Sequence, residues 1–454
     1  MVRVFHQAAY HEANPILEPD RAWERQGSVP TAMPFSDGVF WDPRDRLFKM
    51  WYMAGYQRAT CLATSRDGLS WTKPQLDVVA GTNIVLDEPR DSSTVWLDAV
   101  STDPRARFKM SLFPAGRTTN PLTLYDSPDG IHWRRAGQAG RAGDRTTCFW
   151  NPFRQRWVYS IRSGGDVSGD VRHRRYVESA SFVAKWDDRQ PVPWSRADAL
   201  DGRRDDTGSP PQLYNLDCVA YESVILGLFS IWRGDFPDRP KHNDVCVGFS
   251  RDGFHWDRRN RQPLLPVSER EADWNWGNVQ SAGGCCVVVG SKLFFYASGR
   301  GGRRSRSEPE VCSTGLAVLR RDGFASMSAA GSAEGTLTTM PMMFSGGHLF
   351  VNADTHDGEL RVEALDESGQ TIPEYARARC VPLRGDTTSR RIAWEARPDV
   401  APLARRPVRF RFFLTRGHLY AFWVSRSTSG ASGGYVAAGG PGLPGPVDAP
   451  GQPV

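Results

Sequence analysis

One short phrase recurs along this chain and limits what it can fold into. Ser65-Arg-Asp-Gly-Leu-Ser-Trp71, Ser127-Pro-Asp-Gly-Ile-His-Trp133 and Ser250-Arg-Asp-Gly-Phe-His-Trp256 are three copies, and Arg320-Arg-Asp-Gly-Phe324 is a fourth without the tryptophan. Their aspartates, Asp67, Asp129, Asp252 and Asp322, are separated by 62, 123 and 70 residues. The middle gap is close to twice the first, and Trp186-Asp-Asp188 with Trp194 reads as an eroded copy inside it. Five units of about 64 residues follow, and a period of this kind marks a repeat architecture. Each phrase is a turn: Asp accepts hydrogen bonds from its own turn, Gly supplies a positive φ, and Trp wedges between units. A residue present in every unit marks no single active site, so these aspartates are read as turn locks.

Ahead of each Asp-Gly turn run an apolar strand, a turn and a second apolar strand, beginning at Gly38, Ala99, Thr146, Cys218 and Gly283. A third strand leads into the Asp-Gly turn, as in Asp244–Phe249 and Thr314–Leu319, and a fourth follows it. Four-stranded antiparallel sheets repeated around a channel make an all-β, five-bladed β-propeller, here over residues 1–327. The 16 Trp, 22 Phe, 44 Gly and 32 Pro suit short strands and tight turns. The most helix-like stretch, Trp194–Leu200, is too short to organise a domain. After Phe324 the pattern changes. Glu359-Leu-Arg-Val-Glu-Ala-Leu365 and Val408-Arg-Phe-Arg-Phe412 alternate apolar with polar, which predicts a C-terminal β-sandwich over 328–426 packed on the side of the propeller. Residues 427–454 hold eight Gly and five Pro in 28 positions and read as a flexible tail.

Charge and cysteine usage narrow the function classes. A formal net charge of +6 forces no nucleic-acid partner, and aromatic–basic stripes of the single-strand-binding kind are not evident. No uncharged apolar run approaches the ~18 residues of a membrane span. Eight Cys without a CxxC pair form neither a metal nor a disulfide framework, so no metal or cofactor is implied. The N-terminal segment lacks an apolar signal core, which makes a cytoplasmic location the default expectation.

Aligning the innermost strands on their turns places Asp37, Asp98, Thr146, Asp217 and about Ser281 at equivalent starts. Strand starts at the axis converge on one mouth of the channel, so Asp37, Asp98 and Asp217 are expected to face a common cavity. Asp144 and Arg145 lie just before the third inner strand and Gln280 just before the fifth. Convergent carboxylates are what glycosidic bond cleavage requires: one stays protonated to donate to the leaving oxygen, and another attacks the anomeric carbon or activates water. Like charges held close raise one another's pKa and create that acid. The alternative for each is an ordinary turn aspartate or a buried ion pair.

A five-bladed propeller followed by a β-sandwich, with Asp-Pro turns opening the blades, resembles the invertase, levanase and arabinanase group of glycoside hydrolases (families 32, 43 and 68) over roughly residues 14–426. The resemblance lies in architecture: the invertase-type Asn-Asp-Pro-Asn-Gly and Glu-Cys signatures are absent, as in a divergent member. It implies Asp37 as base or nucleophile on blade one and Asp98 as transition-state stabiliser on blade two. For the acid it leaves Asp217, Glu222 and Asp144. Glu222 has the familiar residue type but sits five residues beyond Asp217, about 16 Å along the strand and near the opposite turn.

Trp96, Tyr214 and Trp276 adjoin the same strands and are candidates for stacking on a sugar face, with Trp274 beside them. Three loops expected to rim the mouth are basic: Arg172-His-Arg-Arg175, Arg239-Pro-Lys241, and Arg300 with Arg303, Arg304 and Arg306. If they converge, they favour an anionic ligand such as a sugar phosphate, a uronate, a sulfated glycan or inorganic phosphate. Arg175 and Lys241, with Arg145 and Gln280, are thus substrate-binding candidates. The leading expectation is a glycosidase acting on an oligo- or polysaccharide. A glycoside phosphorylase on the same scaffold and a non-catalytic carbohydrate- or protein-binding propeller are the alternatives.

Overall fold

The computed structural model describes residues 1–116, 119–165, 170–237, 239–284, 286–301, 310–329, 331 and 333–449. Cys285 and the expected rim residues Arg303, Arg304 and Arg306 lie outside the described residues. The fold is all-β, and the helical residues described form only short 3-10 turns. Among the described residues no helix is long and apolar enough to cross a membrane.

Five antiparallel units follow one another. The first pairs a broken inner strand, Ala32–Met33 and Val39–Asp42, with Leu47–Ala54, then Ala59–Ser65 and Ile84–Leu86. The second runs through Arg90–Leu97, Phe108–Pro114, Thr119–Ser127 and Arg134–Gly143. The third comprises Thr147–Asn151, Arg156–Ser163, His173–Ser179 and Val192–Arg196. The fourth comprises Gln212–Glu222, Val224–Trp232, Asn243–Ser250 and Pro263–Leu265. In the fifth, Asn278–Ser281 and Val287–Val289 both pair with Lys292–Gly301, which pairs with Val311–Arg320; the N-terminal Ala9–Tyr10 adds the outer strand.

Hydrogen bonds join each unit to the next and the fifth to the first. Trp51 Nε1 donates to Gly130 O at 2.8 Å, Trp194 Nε1 to Phe254 O at 3.0 Å, Tyr221 OH to Asp322 Oδ1 at 2.5 Å and Tyr296 OH to Gly68 O at 2.9 Å. Ser111 Oγ meets Cys148 Sγ at 3.4 Å between the second and third units. The order of neighbours is therefore cyclic.

The repeated phrase is the receiving end of four of these bonds. Asp67 Oδ1 accepts the N–H groups of Leu69 and Ser70 at 2.8 Å, and Asp129 and Asp252 repeat the pattern. Gly68, Gly130 and Gly253 sit at φ of +76°, +82° and +80°, where a side chain is strained.

A second hydrophobic core lies beyond the units. A five-stranded sheet and the three-stranded sheet of Gly335–Thr338, Arg409–Thr415 and Glu359–Leu365 enclose Leu349, Val351, Leu360, Val362, Phe410 and Phe412, all fully buried. Its boundary departs from the expected cut after 327. Val2–Phe5 pairs with Ala325–Ala329 inside the five-stranded sheet, so the chain's first strand belongs with its C-terminal part.

The stretch expected to be a flexible tail is packed instead. Tyr435–Val436 adds to the inner strand of the fourth unit beside Tyr221 and Glu222, Trp41 N donates to Ala438 O, and Val288 N donates to Gly439 O. The Gly-rich composition is what such close backbone contact needs: a Cβ on Gly440 would stand 2.0 Å from Val288 O, and one on Gly434 2.0 Å from Glu222 Oε2. Residues 450–454 lie outside the described part.

Candidate functional site

The starts of the inner strands gather a buried polar cluster. Its geometry comes from irregularities in those strands. A register shift between Arg90 and Ser92 leaves Asp91 as the extra residue of the second unit's inner strand, and one between Leu213 and Asn215 does the same to Tyr214 in the fourth. Such bulges re-aim side chains where a ladder would have sent them up or down the sheet. In the first unit the inner strand is interrupted between Met33 and Val39, and Phe35, Ser36 and Asp37 occupy the gap. Arg145 precedes the third inner strand with a φ of +56°, a conformation uncommon for a residue with a side chain.

These segments interlock. Asp37 is fully buried; Arg90 Nη2 reaches its Oδ2 at 2.5 Å and Ser93 Oγ bonds its Oδ1. Asp217 Oδ2 accepts from Ser281 Oγ at 2.6 Å, Asn215 Nδ2 at 2.8 Å and Ser36 Oγ at 3.2 Å. Arg145 Nη2 donates to Ser36 Oγ at 3.0 Å and to Phe35 O at 2.8 Å, and its guanidinium lies 3.5 Å over the Phe35 ring. Arg174, also fully buried, donates to Arg145 O and to Asn215 Oδ1. Nearer solvent, Asp144 Oδ1 takes Arg172 at 2.8 Å and Arg162 at 3.0 Å, and Gln57 Nε2 donates to Asp91 Oδ2 at 2.7 Å. Lys241 Nζ donates to Tyr214 OH at 2.9 Å, and Arg172 lies 4.0 Å over the same ring.

The cluster holds more positive than negative charge, and burial and these charges shift its groups in different directions. Burial raises Asp37 and Asp217 above the ordinary carboxylate range, opposed by Arg90 and by Arg145. Burial also raises Asp91, with the Asp144 charge adding to it and Arg145 opposing. Asp144 goes the other way: burial disfavours its charge, but Arg172 and Arg162 outweigh that and hold its carboxyl below the usual range. Burial alone would raise the Tyr214 phenol; Lys241, Arg172 and Arg300 bring it down to about 8. Burial, Arg172 and Arg145 push Arg174 well below the guanidinium range. A guanidinium stays protonated in proteins, so Arg174 is a buried positive charge that Asp144 and Asp217 only partly offset. Several buried polar atoms have no hydrogen-bond partner among the described residues: Arg145 Nε and Nη1, Arg90 Nε and Nη1, Asp217 Oδ1 and Gln280 Oε1.

Not every expected residue is here. Asp98 follows the inner strand Arg90–Leu97 rather than opening it, so about 25 Å of strand separates it from the Arg90 end. It lies against Lys109 at 3.8 Å, and burial raises its carboxyl. The turn that carries it spans residues 98–107, against 43–46 in the first unit, and an alignment on the Asp-Pro pairs slides the strand by that difference. Trp96 goes with it into the core, edge-on to Phe40 and Trp157. Glu222 likewise ends its strand, at the opposite turn, beside Arg321 and Gly434.

Strand alternation corrects the basic loop: Arg174 turns into the cluster, while Arg175 turns outward to the carbonyls of Asp188 and Pro191. Trp276 is buried, with Arg239 6.0 Å from its ring. Gln280 is fully buried and donates to Asn278 Oδ1. Arg300 donates to Tyr56 OH at 3.3 Å and lies 5.7 Å from the Phe35 ring. Sequence reasoning missed Asp91, Arg90 and Arg174. The signal for the first two was the polar run Arg90-Asp-Ser-Ser-Thr94 directly before Val95-Trp-Leu97, a strand start hidden ahead of the Asp-Pro turn. Among the described residues no group of three or more His, Cys, Asp or Glu is arranged to hold a metal ion.

No protein-family model matches the chain, and no curated protein matches it. Solved structures do. An N-acetylgalactosamine deacetylase from F. plautii in complex with blood group B trisaccharide is similar at 13% identity and a TM-score of 0.50, covering 70% of this chain and 96% of that one. A thermostable family-43 glycoside hydrolase gives 11% and 0.43 over 66% and 94%, and a glycosyl hydrolase from Bacteroides ovatus 15% and 0.42 over 70% and 94%. At these identities the first comparison shows a shared fold, and the structural neighbours of this all-β chain include glycoside hydrolases.

Proposed function

We propose that this chain is a carbohydrate-active enzyme of the glycosidase type, a five-bladed β-propeller carrying a C-terminal β-sandwich, acting at the mouth where the inner strands start. The single observation that carries this reading is the pair Asp91 and Asp144: two carboxylates at one mouth whose surroundings push their pKa values apart. That is the arrangement glycosidic cleavage needs. In it Asp91, half-buried and with its carboxyl raised by burial and by the Asp144 charge, takes the acid's part and donates to the leaving oxygen. Asp144, held ionised by Arg172 and Arg162, acts on the sugar or its attacking water. Asp37 and Asp217 lie beneath as positioning residues: Asp37 pairs with Arg90, and Asp217 binds Ser36, which Arg145 also contacts. Tyr214 and Lys241 flank the bound ring.

The unpartnered N–H groups of Arg145 and Arg90 favour a substrate with an acidic group, such as a uronate or a sulfated sugar. The same observation favours a second reading, in which inorganic phosphate occupies that position and accepts the glycosyl group. Incubation with neutral and acidic oligosaccharides, with and without phosphate, and detection of products by mass spectrometry separates the two. Release without phosphate supports hydrolysis, a strict phosphate requirement supports phosphorolysis, and no release from any oligosaccharide, neutral or acidic, under either condition overturns both.

A further inference from the structure

At the other end of the fourth unit, far from the mouth, lies a cavity of about 970 Å³ whose lining includes Glu222, Arg321, Asp448, Tyr420, Trp423 and Tyr435. Its size falls in the roughly 300–1,000 Å³ range of small-ligand sites. Several parts of the chain build it, among them the turn at Glu222, residues 321–325, the strand Gly417–Ser425 and the Gly-rich segment 429–449.

Its polar side is acidic. Arg321 Nη2 pairs with Asp448 Oδ2 at 2.7 Å and approaches Glu222 Oε1 at 3.4 Å, Ser432 Oγ donates to Asp448 at 3.2 Å, and Asp322 completes the group. Three carboxylates thus face one guanidinium, the reverse of the balance at the mouth. Glu222 holds a φ of +50° in the tight turn between Tyr221 and Val224, a position Gly or Asn fills at less cost. Keeping a carboxylate there places an acceptor on the cavity wall at the expense of local strain. Its apolar side is aromatic and fixed. Trp423 stacks on Phe350 at an interplanar angle of 16° and donates Nε1–H to Gly430 O, while Tyr435 meets Phe153 edge-on.

An aromatic platform and carboxylate acceptors lining one cavity match a sugar ring, which has one apolar face and a rim of hydroxyl donors. The excess of carboxylates disfavours an acidic one. We infer that this cavity is a second saccharide site, separate from the mouth, taking one uncharged sugar ring of a glycan.

The test is calorimetric titration of the full chain with cellotriose, mannotriose, arabinotriose and trigalacturonate. Trp423→Ala removes the platform, and Ser389→Trp fills the cavity from an exposed strand position without touching the core. One of the neutral trisaccharides is expected to bind, to lose at least about tenfold in affinity in both variants, and to keep its affinity in Asp144→Asn at the mouth. Three results overturn the inference: no binding of any neutral trisaccharide; wild-type affinity in Ser389→Trp; or binding of trigalacturonate as tight as the neutral ligand and equally sensitive to Ser389→Trp.

Discussion

Lys241 Nζ donates a 2.9 Å hydrogen bond to the phenol oxygen of Tyr214, a residue that a strand bulge aims at the mouth. With Arg172 and Arg300 nearby, the phenol titrates near 8 rather than its ordinary 10. A pH titration of phenolate absorbance is expected to show one tyrosine ionising about two units early, and Lys241→Met is expected to move it back up. Because the folded-state value is the lower one, the unfolded chain binds the extra proton between pH 8 and 10, and this group's contribution to stability grows across that window. An unchanged titration in Lys241→Met would contradict the assignment.

The Arg90–Asp37 pair makes a different prediction. Both side chains are fully buried, so removing one leaves the other charge uncompensated. Arg90→Met is expected to cost about 3–5 kcal/mol in urea unfolding, and the double change to Arg90→Met with Asp37→Asn is expected to recover part of that loss. Additive costs would show that the two groups do not depend on each other.

The turn locks are testable one at a time. A Cβ on Gly130 would come 2.5 Å from Trp51 Cζ2, and one on Gly68 2.7 Å from Tyr296 OH, each at positive φ. Gly130→Ala and Gly68→Ala are each expected to destabilise by more than about 1 kcal/mol, the ordinary size of a glycine backbone effect. A neutral result in thermal unfolding would remove the Asp-Gly turns from the account of how the units join.

Burial pushes Glu222 up to about 7 from an ordinary 4.5, with Asp322 and Asp448 adding to the shift and Arg321 opposing it. The folded state then holds the extra proton between those values. Stability from this group is complete below 4.5 and is lost as pH rises through 7. Glu222→Gln is expected to flatten the fall in melting temperature across that window and to melt above wild type at pH 8. Parallel wild-type and variant profiles would contradict it.

How much of this was legible follows from which signals are local. Ser65, Asp67 and Gly68 carry their turn in their own chemistry, so the period of the units could be counted from residues alone. The mouth depends on where each inner strand starts, and that depends on the length of the turn behind it. The longer turn after Leu97 carried the alignment from Asp91 to Asp98, from one end of the strand to the other. Arg174 was hidden for another reason: a basic run reads as a solvated loop until alternation in His173–Ser179 turns one member inward. The Gly-rich C-terminal segment misled in the same way, since the composition of a mobile tail is also that of a backbone packed against other backbones.

The central claim is that chemistry happens at the mouth between Asp91 and Asp144. It is tested most directly by comparing product release from an acidic oligosaccharide by wild type, Asp91→Asn and Asp144→Asn, with Asp98→Asn as the control from the far end of the same strand. Loss of about 10²–10⁴-fold in the first two variants, with Asp98→Asn releasing product like wild type, is the expected result. Full activity in Asp91→Asn, or loss confined to Asp98→Asn, would contradict it.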